Sequence, residues 1–177
     1  MDDCKVGGLD FTEISEEHLP GVLEIYNYYV RNSTVSFHTE LLTLAEMRQS
    51  VLSGDKRYRS YAIQEQGELL GYVLIARHKN KQAYDTSGEI SVYLHPECTG
   101  RRIGEQALRF IEKRAVELGF HVLVATICSE NERSQQLFAR NGYERSAYFK
   151  QIGRKFGRWL DIASYQKIVG NTQVSGR

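Results

Sequence analysis

The sequence predicts an α+β domain with a mixed, mostly antiparallel sheet and helices on both faces. Three observations carry this. The strand-like runs 58–65 and 69–77 flank a Gln66-Gly67 turn, a hairpin signature that argues against a doubly wound sheet. A helical segment at 103–118 stands between the apolar runs 88–95 and 121–127, as a crossover joining one parallel pair does. The remaining runs follow in the order strand, two helices, three strands, helix, strand, helix, two strands.

The elements have local reasons. Leu9, Phe11 and Ile14 mark a first short strand. Ser15 offers an N-cap with Glu16 and Glu17 in the favourable first turn, and Leu19, Val22, Leu23, Ile25 and Tyr26 recur at helical spacing. Pro20 sits early enough to be tolerated. Thr43 and Glu46 form a capping-box pair for a second helix with Leu44, Met47, Val51 and Leu52 as its buried side. Leu108, Ile111, Ala115 and Leu118 give the 103–118 helix its apolar face, and Gly119 closes it. Ser129 and Glu132 read as another capping box, opening a helix to Arg140 that Asn141-Gly142 ends. Runs 143–150 and 159–168 supply the last strands. The domain spans 9–169, between an N-terminal extension at 1–8 and a polar C-terminal tail at 170–177.

Composition narrows the function. The chain has 177 residues, enough for one domain with a substantial core, and its 41% hydrophobic content excludes a mainly disordered chain. Lys and Arg number 23 against 22 Asp and Glu, so net charge gives no argument for nucleic acid or an anionic membrane as partner. The longest apolar run, 69–76, is far too short to span a bilayer, and the acidic start does not read as a secretory signal. Cys4, Cys98 and Cys128 are odd in number and widely spaced, which points to reduced thiols in a cytoplasmic protein. His38, His78 and His95 lack metal-ligand spacing, so no metal is expected.

The chemistry concentrates in residues 89–104. A strand ends, a loop with Thr99, Gly100, Arg101 and Arg102 turns, and a helix opens with Ile103 and Gly104. A helix N-terminus offers unpaired amides and positive dipole, so this loop fits a pyrophosphate; an ordinary tight connection with solvated arginines is the competing reading. A P-loop is disfavoured by the absence of GKS or GKT, and the glycine spacing misses the dinucleotide fingerprint.

The segment 99–104 resembles the acetyl-CoA-binding motif of the GNAT superfamily of N-acetyltransferases. Gly104 matches; Thr99 stands where Arg or Gln is usual and Arg102 where Gly is usual. Further blocks resemble the phosphinothricin acetyltransferase family: Tyr26-Asn27-Tyr28-Tyr29-Val30, Ser33-Thr34-Val35-Ser36-Phe37, Ala83-Tyr84-Asp85 with Glu89, Val92 and Tyr93, and Lys155-Phe156-Gly157-Arg158-Trp159-Leu160-Asp161.

The resemblance implies the GNAT acyl-CoA N-acyltransferase fold, acetyl-CoA as cosubstrate, and the α-amine of phosphinothricin, methionine sulfoximine or methionine sulfone as acceptor. It implies Glu89 as general base, because a protonated amine cannot attack a thioester. It implies an oxyanion donor from the backbone near Tyr93 or Leu94, where the strand bulges away from its neighbour, with Val92, Tyr93 and Leu94 along the pantetheine arm. Asn131 matches a pantetheine contact whose alternative role is helix capping. Phe37, Lys81 and Tyr84 fall at the substrate pocket. Phe138 stands where relatives carry a proton-donating Tyr or His, leaving unaided thiolate departure or donation by another group such as Tyr143. The resemblance also implies a homodimer, since relatives are usually dimers, so Trp159 is either structural or lines a pocket from a partner subunit. Two other readings stay open: acetylation of a different amine, and a non-catalytic CoA-binding or ligand-sensing module.

Overall fold

The computed structural model describes residues 4–6 and 8–170, with side chains from Gly8 onward. One eight-stranded sheet has the order β1-β2-β3-β4-β5-β6-β8-β7. Its strands are β1 (Cys4–Val6), β2 (Leu9–Glu13), β3 (Arg59–Glu65), β4 (Glu68–Arg77), β5 (Ser87–Leu94), β6 (Val122–Cys128), β7 (Glu144–Lys155) and β8 (Arg158–Ile168). Only β5 and β6 pair in parallel; every other neighbouring pair is antiparallel. The β3–β4 hairpin turns on Gln66 and Gly67 with φ of 52° and 86°, the left-handed geometry that suits a two-residue connection.

The helices are α1 (Leu19–Asn32), α2 (Leu44–Val51), α3 (Ile103–Glu117) and α4 (Glu132–Arg140). On one face Leu19, Val22 and Ile25 of α1 and Met47 and Val51 of α2 cover Ala62 and Tyr72. On the other, Ala107, Leu108 and Ile111 of α3 and Phe138 of α4 cover Ile63, Val73, Ile75 and Leu123. Phe11 and Phe110 stack at 4.3 Å across that second interface. Asn27 clasps the approach to α2 from inside α1, donating to the Leu42 carbonyl at 2.9 Å and accepting from the Leu42 amide at 3.0 Å.

The structure differs from the sequence reading at five places. Ser15 heads a short 3-10 turn, Glu16–His18, and α1 proper begins at Leu19 with Pro20 in its first turn. Leu44 is exposed because it opens α2 on the solvent side, leaving Met47 and Val51 as the buried pair. Ser129 does not cap α4; Asn131 does, its side chain accepting the Ser134 amide at 3.2 Å. The strand expected at 143–150 runs on to Lys155, through a register shift between Phe149 and Gly153. Asp161 holds that irregularity, accepting from the Gln151 amide at 2.7 Å and the Tyr148 hydroxyl at 2.6 Å. Within the expected extension 1–8, Cys4–Val6 adds an edge strand to the sheet. The expected tail lies outside the described residues, apart from Gly170.

Candidate active site

The parallel pair sets the site. β5 and β6 are partners at Ser87↔Val122, Gly88↔Leu123 and Glu89↔Val124. Beyond Glu89 they part, β5 continuing with β4 as far as Gly71↔Leu94 and β6 with β8 as far as Cys128↔Ile162. A wedge opens between them. The β4–β5 register is unbroken, so the expected bulge is absent; the divergence of β6 alone makes the gap.

Two bonds fix which backbone groups line it. The Val122 amide donates to the Thr86 carbonyl at 3.2 Å, and the His95 amide donates to Leu70 of β4 at 2.7 Å. Strand alternation then turns the amides of Val92 and Leu94 toward the wedge and that of Tyr93 toward β4. Of the two expected oxyanion donors, Leu94 therefore has its N–H on the open side, and Tyr93 has its own committed to the sheet. The Tyr29 hydroxyl of α1 donates to the Leu94 carbonyl at 2.6 Å, satisfying the acceptor of that residue.

The glycine loop closes the wide end of the wedge. Gly100 and Arg102 both take left-handed φ, 85° and 61°, and α3 starts at Ile103 without a side-chain cap. The α1 start is likewise without a side-chain cap, whereas Thr43 caps α2 and Asn131 caps α4. The first-turn amides of α3 thus face outward with the positive end of the helix dipole behind them. Gly104 sets the close approach of α3 to α4: a Cβ there would lie 3.0 Å from Leu137. Thr99 braces the loop, donating to the Pro96 carbonyl at 3.1 Å and accepting from Arg133 at 3.4 Å. Arg101 is paired with Glu65 at 2.5 Å, whereas Arg102 is exposed and has no ion pair among the described residues. An extended, amide-bearing arm fits the wedge, and a pyrophosphate fits the uncapped turn.

At the narrow end stands Glu89, about two-thirds buried on the α1/α2 side of the sheet. Its carboxylate lies 3.4 Å from Nδ1 of His78, and the His78 ring meets the Tyr84 ring edge-on at 6.0 Å. Lys79 places its ammonium 5.5 Å over the Tyr84 ring. Lys81 is exposed with no ion pair among the described residues. Phe37 is not among these contacts: its ring packs on Gly153 of β7, where a Cβ would come within 2.4 Å of it. The structure thus joins Tyr84 to Glu89 through His78, while Phe37 belongs to the β7 side of the site. Tyr93 presents its ring to the helix face, stacked on Tyr72 at 5.2 Å and edge-on to Tyr26 at 5.1 Å. Burial pushes the Tyr93 and Tyr26 hydroxyls above the ordinary phenol range, so both keep their protons at neutral pH.

Tyr143 is not at the wedge. It follows α4, is buried against Phe138 at 5.0 Å, and has the Lys167 ammonium 5.5 Å over its ring. Asn131 sits at the opposite end of that helix, its oxygen used by the cap. Among the described residues no group of three or more His, Cys, Asp or Glu side chains could hold a metal ion. Among them, too, no helix is long and apolar enough to cross a membrane.

The profile of the Acetyltransferase (GNAT) family matches residues 22–143, a span that takes in most of α1, the wedge and the glycine loop. The chain belongs to the GNAT acetyltransferase family. It is 36% identical over 156 residues to a phosphinothricin N-acetyltransferase of Streptomyces coelicolor, covering 86% of this chain and 91% of that protein. It is 37% identical over 153 residues to an L-methionine sulfoximine/L-methionine sulfone acetyltransferase of Pseudomonas aeruginosa, covering 84% and 87%. The crystal structure of a GNAT superfamily phosphinothricin acetyltransferase from Sinorhizobium meliloti in complex with acetyl-CoA superposes with a TM-score of 0.87. Its identity is 28%, and the match covers 96% of this chain and 92% of that one. This GNAT enzyme is an acetyl-CoA-dependent N-acetyltransferase, with acetyl-CoA as its cosubstrate.

Sequence reasoning missed three residues of this GNAT site. In the sequence His78 enters only for its lack of metal-ligand spacing, Tyr29 only within a block that resembles the family, and Arg133 not at all. The i, i+3 spacing of Tyr26 and Tyr29, which puts both on one side of α1, is the signal for Tyr29. Contacts with Glu89 and Thr99 join distant segments and leave no mark in local spacing.

Proposed function

We propose that the chain acetylates the α-amine of a small amino acid or analogue, of the phosphinothricin, methionine sulfoximine or methionine sulfone type, by direct transfer from acetyl-CoA. The observation that carries this is the placement of Glu89 and the Leu94 amide on one strand, at the two ends of the opening between β5 and β6. The substrate class draws on the names of the relatives.

Glu89 takes a proton from the acceptor ammonium, and the free amine attacks the thioester. General-base help of this kind contributes roughly 10²–10⁴-fold. The Leu94 N–H stabilises the developing oxyanion, a donor worth about 10²–10³-fold in a dry site. The Val92 edge pairs with the pantetheine amides. Thr99 shapes the loop, and the amides of Gly100, Arg101, Arg102, Ile103 and Gly104 hold the pyrophosphate with Arg102 adding charge. Asn131 offers its amide N–H2 to the arm while its oxygen caps α4. Tyr84 and Phe37 wall the acceptor pocket, and Lys81 attracts its acid group. The thiolate leaves unaided, as its modest basicity allows, since Phe138 has no proton to give.

The enzyme works as a homodimer through the β7–β8 hairpin, whose Phe149, Ile152, Phe156 and Trp159 are all exposed. Free thiols at Cys98 and Cys128 support a reducing, cytoplasmic setting.

The test is thiol release from acetyl-CoA against phosphinothricin, methionine sulfoximine, methionine sulfone, common amino acids and a polyamine, with Glu89→Gln beside the native protein. Turnover on a sulfone or phosphinate amino acid, lost in Glu89→Gln, is expected. Turnover confined to the polyamine would replace the substrate class. CoA binding without turnover on any amine would favour a sensing module.

A further inference from the structure

Resting on the reading of Glu89 as base, we infer that His78 is the next station for the proton that Glu89 removes from the acceptor amine. His78 directly follows β4, diagonal to Glu89 on the same sheet face, because Ala76 and Glu89 are register partners. Its Nδ1 lies 3.4 Å from Glu89 Oε2. Glu89 retains 32% of its side-chain exposure and His78 21%, so the pair is largely shielded yet keeps a path to solvent. The edge contact with Tyr84 holds the imidazole plane beside the carboxylate.

The proton balance is simple. The ammonium gives a proton to the Glu89 carboxylate, leaving a neutral amine and a carboxylic acid. The acid passes the proton to neutral Nδ1 of His78, restoring the carboxylate and creating an imidazolium. The imidazolium then releases a proton to solvent. Imidazole is the stronger base of the two side-chain types, so the second transfer runs downhill. The relay restores the base without requiring Glu89 to meet bulk water while the acceptor fills the pocket.

Several groups surround the pair. Lys79 and Tyr84 come from the β4–β5 connection, with the ammonium over the phenol ring. Arg77 at the end of β4 is occupied with Asp55 and Asp85. Tyr93 of β5 lies on the same sheet face as Glu89, edge-on to Tyr26 of α1 at 5.1 Å. Of these, only the imidazole carries a charge change in the neutral range by its ordinary chemistry.

Two measurements test the relay. The first is kcat against pH, with the acceptor that the amine panel selects, for the native enzyme and His78→Asn. A native kcat that falls on acidification, as the relay imidazole takes up a proton, is expected, with a lower, flatter profile in His78→Asn. The plateau should drop about tenfold, both KM values should stay within about twofold, and added imidazole should restore part of the rate in His78→Gly. The second needs no acceptor: the His78 ring resonances are compared by NMR in the native protein and Glu89→Gln. They should move when the carboxylate 3.4 Å from Nδ1 is removed. Unmoved resonances overturn the pairing. Inactive Glu89→Gln beside His78→Asn of native kcat and pH profile overturns the relay alone. Fully active Glu89→Gln overturns the base assignment and the relay together.

Discussion

The Tyr29 hydroxyl donates to the Leu94 carbonyl at 2.6 Å, tying α1 to the last residue of β5. Leu94 lies beyond Glu89, where β5 gives up its β6 partner, so its carbonyl has no strand to bond on that side. The tyrosine satisfies that acceptor and leaves the amide of the same residue turned to the wedge. A helix on one face of the sheet thereby fixes a backbone donor at the edge of a gap.

Removing that hydroxyl is the first prediction. Tyr29→Phe keeps the ring beside Tyr93 but leaves the Leu94 carbonyl without its donor. A lost hydrogen bond of this kind costs about 1 kcal/mol. Urea unfolding should show a destabilisation of that order. The KM for acetyl-CoA should rise about threefold or more as the strand end loosens; an unchanged KM would separate the tyrosine from cosubstrate binding.

Arg102 concerns the opposite side of the wedge. Its φ of 61° is the left-handed region, where an L side chain costs about 1–2 kcal/mol. Glycine removes that strain but returns about 0.5–1 kcal/mol as unfolded-chain entropy. Arg102→Gly is therefore expected to be neutral to about 1 kcal/mol more stable. The same change removes an unpaired guanidinium from the loop. The KM for acetyl-CoA should rise several-fold at low ionic strength, with the difference shrinking as salt is added. A KM that falls at every salt concentration would mean that the side chain crowds the pyrophosphate.

The sheet and helices were legible because they follow period and punctuation. The Gln66-Gly67 turn, the Thr43 and Glu46 capping box and the helical stripe of α3 each contain their whole cause within a few residues. The start of α4 was misread because Ser129 and Asn131 are both good caps and only the fold chooses between them. The long β7 was cut short because Asp161, from the next strand, holds the irregular segment. In the site, the glycine loop was legible and its strained Arg102 was visible as a departure from the family pattern. The choice of Leu94 over Tyr93 was not, since it depends on which neighbour each amide faces. The contact of His78 with Glu89 depends on the β4–β5 register in the same way.

The tyrosine cluster gives a pH prediction. Burial raises the hydroxyl pKa of Tyr93 well above the ordinary phenol value, and Tyr26, Tyr29 and Tyr72 are raised for the same leading reason. The folded state then holds these protons more tightly than the unfolded chain. Their contribution to stability is complete below about pH 10 and is lost as pH rises beyond it. Lys155 acts in the opposite sense: burial lowers its pKa, so its contribution improves with pH up to the unfolded ammonium value near about 10.4. Comparing Tyr93→Phe with the native protein cancels the lysine. The variant should lose melting temperature less steeply above about pH 10, while kcat near neutrality stays within about twofold because the backbone is unchanged. A steeper alkaline loss in the variant would show that the hydroxyl is not the group titrating.

The last prediction concerns the β7–β8 hairpin. Phe149, Ile152, Phe156 and Trp159 are 45%, 54%, 56% and 59% exposed, a concentration of large apolar side chains at one edge of the sheet. Isolated apolar residues on a surface are ordinary, whereas four large ones on a single hairpin point to a partner that covers it. The Arg154 guanidinium lies 5.7 Å from the Trp159 ring, holding the indole at the surface. Trp159→Glu places a charge where a second copy would bury the ring, and a buried unpaired carboxylate is costly. Light scattering should report twice 20.3 kDa for the native protein and 20.3 kDa for the variant. Phe37, which the proposed function places in the acceptor pocket, packs on Gly153 of the same hairpin, so the monomeric variant should also show a raised acceptor KM with acetyl-CoA binding retained. A native protein that scatters as a monomer would remove the dimer and leave the exposed hairpin for another partner.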